Sequence, residues 1–113
     1  MATQTIPSGS AFPAGIPESI RTRFDQLADQ WSEETEFVSS STALVLNSAY
    51  QQIIGMGQTV VPLILHRLES QGGHWFWALK HITGEDPLPA EDAGNYARMR
   101  EGWLRWGHQH HYL

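Results

Sequence analysis

The sequence predicts an all-α fold, a compact bundle of about five short helices, on three observations. Large apolar residues recur at helical spacing along most of the chain. Each apolar run in the middle is closed by glycine or proline: Tyr50-Gln-Gln-Ile-Ile-Gly-Met-Gly57, then Val60 to Leu68 before Gly72-Gly73, then His74 to Ile82 before Gly84. No segment alternates apolar and polar residues as a half-buried strand does. A chain of 113 residues matches one domain. Its five tryptophans can each bury roughly 150–250 Å², which offsets a modest number of core positions.

Residues 1–16 hold Pro7, Gly9, Pro13 and Gly15 among small polar residues and are expected to form a flexible arm. Phe12 and Ile16 are the groups that could tack it down. A first helix is predicted over 17–36, with Pro17 in its first turn and Glu18 at the positive end of its dipole. Ile20, Phe24, Leu27 and Trp31 form its inner stripe, leaving Asp25, Asp29, Glu33 and Glu34 to solvent.

Ser39 to Thr42 offer capping hydroxyls for a second helix. Its expected inner stripe is Ala43, Leu46, Tyr50 and Ile53, with Gly55 as the glycine that ends it. A third helix is predicted over 58–69, with Pro62 in its first turn, where a missing N–H costs nothing. A fourth runs from about His74 to Gly84. The loop at 85–92 is stiffened by Pro87 and Pro89. A last helix from about Glu91 places Tyr96, Met99, Trp103 and Trp106 on one stripe and ends at Gly107. Residues 17–107 thus make one helical domain, and His108 to Leu113 a flexible histidine-rich tail.

Gly57, Pro62, Leu63, Leu65, Leu68, Trp77, Ala78 and Ile82 resemble one HEAT-type antiparallel helical hairpin. Such a hairpin has a glycine before its first helix, a proline within it and small or apolar residues on the inner faces. The likeness covers about a third of the chain, and no second copy follows, so no solenoid is expected. The string from Tyr50 to Pro87, with the tryptophans of the last helix, also resembles a family of small uncharacterised bacterial proteins. That resemblance implies a bacterial, cytoplasmic origin and a compact helical fold, and transfers no functional residues.

Composition narrows the function classes. Seven basic against twelve acidic side chains give a net charge of −5, with no basic stripe, so phosphate-dominated nucleic-acid binding is disfavoured. The absence of cysteine excludes disulfides and thiolate metal sites. The first residues lack the charged and apolar regions of a secretory signal, and no apolar run nears the roughly 20 residues of a membrane span. A soluble cytoplasmic protein is expected.

The fourth predicted helix separates structure from function. At about 100° per residue, Trp75, Ala78, Leu79 and Ile82 share the inward face, and Trp77 points away from it with His74, Lys80 and His81 around it. Either the first or the last helix covers Trp77, or Trp77 anchors a docking surface for another protein, since Trp is favoured at interface hot spots. The expectation is a non-catalytic interaction module, an antitoxin-like or accessory subunit of a bacterial operon. The candidate contact residues are Trp77, His81, His74 and Lys80. Its acidic balance suits a basic partner, and self-association stays open.

Two other readings compete. A small-molecule binder or enzyme would need His81, Lys80, Asp86 and Tyr50 to converge on a cleft between the second and fourth helices. A helix-turn-helix would have Lys80 as the fixed cation of its recognition helix. No catalytic residue, cofactor or metal site is expected. The serines at 39–41 suit a cap and lack the nucleophile elbow. Gly55-Met-Gly57 lacks the lysine of a phosphate loop. The histidines lie at 74 and 81, seven residues apart, or in the tail.

Overall fold

In the computed structural model, which describes residues 15–113, all the regular structure is helical. α1 (Glu18–Glu34) buries Phe24, Leu27 and Trp31 of the predicted stripe together with Ala28, while Ile20 is partly buried against the core. Pro17 stands just before the helix instead of inside it. Thr35 closes its end, donating its hydroxyl to the Trp31 carbonyl at 2.6 Å, so Glu36 lies beyond the helix. The expected arm falls mostly at 1–14, outside the described residues, and Phe12 with it; Ile16 packs against the core.

The single helix predicted next is two, α2 (Ser41–Leu46) and α3 (Ser48–Gly55). Asn47 makes the break. Its backbone is extended, and its Oδ1 accepts from the N–H groups of Ala49 at 2.9 Å and Tyr50 at 3.3 Å. The same side chain donates to Glu34 Oε1 at 3.0 Å. The interruption leaves the Leu44 carbonyl without its helical partner, and the Trp31 indole N–H supplies one at 2.8 Å. The predicted stripe is corrected accordingly. Leu44 is buried in place of Ala43 and Leu46, and Leu46 is 66% exposed. Gly55 is the last residue of α3, and the positive φ beyond the helix falls instead at Gly57, at +80°.

A 3₁₀ turn over Gly57–Val60 leads into α4 (Val61–Gln71), with Pro62 in the first turn. α4 buries Val61, Pro62, Leu63, Ile64, Leu65 and Leu68, so it is apolar around most of its girth. Such a helix has to be enclosed, and α4 lies against α5, α6 and the 3₁₀ turn. Its last carbonyls are closed from outside: Arg100 donates to Leu68 O at 3.2 Å and to Glu69 O at 2.7 Å. The Gly72-Gly73 reversal then leads to α5 (Phe76–Thr83), which Gly84 ends at φ +73°.

α5 has no cap from its own first residues. The Tyr50 phenol serves instead, accepting from the Ala78 N–H at 2.9 Å and donating to the His74 carbonyl at 3.0 Å. Its ring stacks on Trp75 at 5.7 Å, and Trp31 lies 4.6 Å from Trp75 and 5.1 Å from Tyr50. Aromatic pairs of this kind contribute about 0.5–1.5 kcal/mol each beyond their buried area.

The final helix, α6 (Tyr96–Gln109), starts later than Glu91 and does not end at Gly107. Ala90–Asp92 is a 3₁₀ turn followed by Gly94 at φ +83°, and Asn95 caps α6 by accepting from Arg98 N–H at 3.1 Å. Gly107 is buried within α6, where a Cβ would stand 2.9 Å from Leu65 and 3.0 Å from Leu113. There the missing side chain admits a neighbour; it does not stop the helix. Beyond Gln109 the chain turns back, Tyr112 N–H bonding to Gly107 O at 2.8 Å, and Tyr112 and Leu113 lie against the core. α1 packs chiefly on α3, and α4 on α6, with α5 between the two pairs.

Candidate interaction site

α5 has to turn one side outward because its inner side is committed. Trp75, Ala78 and Leu79 are buried, and the helical period then carries Trp77 to the opposite side, where it is 47% exposed. Neither α1 nor α6 covers it fully, and α6 reaches it only through Met99, which lines the same grooves. His81, one turn on, stacks on its ring at 4.0 Å and points Nδ1 at the Trp77 carbonyl at 3.0 Å.

Two open grooves meet at Trp77. One, of about 260 Å³, runs toward the loop after α5 and is walled by Leu88, Pro89, Ala90, Met99 and Trp103. The other, of about 380 Å³, runs toward α2 and is walled by Leu44, Val45, Leu46, His74 and Met99. Phe76, Trp77 and Met99 belong to both. A nearly continuous apolar band therefore crosses this side of the protein.

Of the four expected contact residues, Trp77 and Lys80 line the first groove, Trp77 and His74 the second. His81 lines neither and supports Trp77 from the side. His74 meets Tyr96 edge-on at 5.7 Å. Lys80 pairs with Asp86 at 3.4 Å, both groups more than half exposed, a contact of little energetic weight. The residues that sequence reasoning missed are Val45, Leu46, Phe76, Leu88 and Met99. Leu46 and Met99 had been assigned to inner stripes. An asparagine followed by Ser48 and Ala49 was the signal for the break that turns Leu46 out.

The constellation His81, Lys80, Asp86 and Tyr50 does not assemble. Lys80 and Asp86 share a groove, but the Tyr50 hydroxyl is spent inside the core on α5. Burial pushes that phenol well above the ordinary tyrosine value, with the bond from Ala78 N–H opposing the shift. It is held as a neutral hydrogen-bonding group. Among the described residues no three His, Asp or Glu side chains cluster as metal ligands, and no helix is long and apolar enough to cross a membrane.

No protein family, curated protein or solved structure matches the chain.

Proposed function

We propose that this chain is a non-catalytic helical module that docks another protein through the band centred on Trp77, acting as an accessory subunit of a bacterial assembly. The observation that carries the reading is Trp77 itself, a half-exposed tryptophan forming the shared wall of two apolar grooves. Tryptophan is among the residues most often found at the energetic centre of an interface. Partner contact at His74 and Lys80 follows from their place on the groove walls, and His81 serves by holding the indole ring.

Capture from the native host tests this with two baits, the intact chain and Trp77→Ala. A protein retained by the first and lost by the second is the expected result, with both baits giving the same far-ultraviolet dichroism. Equal retention by both would remove the reading.

A further inference from the structure

Charge is distributed unevenly around the band. At the α2 end, Glu34 is hydrogen-bonded to Asn47, the residue next to groove-lining Leu46, and Glu33 and Glu36 flank it in sequence. At the other end, Asp86 lines the groove, and Glu91 and Asp92 sit between groove residues Ala90 and Ala93; Glu85, next to Asp86 in sequence, accepts from the Trp106 indole at 3.2 Å. The segments 33–46 and 84–95 together hold seven carboxylates and no lysine or arginine, against Arg98 and Arg100 beside Met99 on α6, of which Arg100 is bonded to the last carbonyls of α4. Lys80 is the cation in the groove walls, and it faces Asp86.

We infer that the occupant is a cationic amphipathic helix of another protein, its apolar side straddling Trp77 and its Lys or Arg residues meeting the carboxylates at both ends. This deepens the docking reading and rests on it. Helix-in-groove is the mode the fold offers, since strand addition requires a sheet edge and the described residues contain no strand. A second copy docking by the same face would set acidic ends against acidic ends. Residues 1–14 contain no lysine or arginine, so the chain's own beginning lacks the required charge. An anionic lipid surface would be repelled.

The test uses two synthetic helical peptides of about 18 residues, five turns, with identical leucine faces. One carries lysine on the remaining positions near its ends, the other glutamate. Each is titrated calorimetrically into the full chain at low and at physiological salt. The lysine peptide is expected to bind, more weakly at higher salt, and the glutamate peptide not to bind. Trp77→Ala, and separately Leu46→Ser, should each weaken binding at least about tenfold. Glu34→Gln with Asp86→Asn and Glu91→Gln should also weaken it about tenfold, while the remote pair Glu18→Gln and Asp25→Asn leaves it unchanged.

Trp77-dependent binding of both peptides would overturn the cationic partner while leaving the docking reading standing. Lysine-peptide binding that survives Trp77→Ala, or that falls equally with the remote pair, would show bulk charge attraction and overturn the inference. So would a Trp77-dependent dimer of the chain in light scattering.

Discussion

Trp75 and Trp77 stand two residues apart on one helix with opposite fates, the first 1% exposed and the second 47%. Trp75→Ala should destabilise the protein by about 3–5 kcal/mol, the usual cost of truncating a buried ring. Lys80→Ala should stay within about 0.5 kcal/mol. Urea denaturation of the two variants compares them, and equal losses would mean that α5 is turned the wrong way round. Acrylamide quenching gives an independent reading. Trp31, Trp75, Trp103 and Trp106 are all buried, so Trp77→Ala should abolish most of the quencher-accessible emission.

Tyr50 carries a pH signature. In the unfolded chain its phenol ionises near about pH 10, whereas burial keeps it protonated in the fold to higher pH. The unfolded state therefore loses its proton first. The stabilisation is fully present below about pH 10 and declines as pH rises above it. Tyr50→Phe should flatten the alkaline limb of a stability-versus-pH curve. At neutral pH it should cost about 1–3 kcal/mol, because the Ala78 N–H loses its acceptor. An alkaline limb identical to that of the unaltered protein would contradict this account.

At the scale of the element, Asn47 governs how α2 and α3 meet α1. Asn47→Ala should cost about 0.5–2 kcal/mol through the lost cap, read as a lowered denaturation midpoint. An unchanged midpoint would mean the break is held by Trp31 and Leu44 alone. The same residue explains where sequence reading stopped. Ala43, Leu46, Tyr50 and Ile53 fit one helical stripe so well that periodicity alone cannot detect an interruption. The carbonyl that the interruption frees is satisfied by a tertiary hydrogen bond from Trp31, thirteen residues from Leu44. Gly107 was misread for a related reason: a glycine that ends a helix and one that admits Leu65 look alike in sequence. The stripes of α1 and α5, the stop at Gly84 and the outward turn of Trp77 were legible, because each depends on local spacing. The rest of the interaction band was not. Its walls come from α2, α5, the loop after α5 and α6, and only their three-dimensional arrangement brings Leu46, Leu88 and Met99 to one tryptophan.

At the scale of the whole molecule, α4 and α6 depend on each other. Arg100 closes the end of α4, Leu65 fits against Gly107, and the Tyr96 hydroxyl accepts from the Gly73 N–H at 2.8 Å and donates to the Gly73 carbonyl at 3.1 Å. A growing polypeptide whose residues up to Gly94 have emerged from the ribosome therefore displays an α4 with one flank bare and a glycine reversal with nothing to fasten it. Native topology is completed only after α6 has cleared the exit tunnel. Until then the unfinished protein presents leucine and isoleucine to whatever chaperone stands at the tunnel mouth.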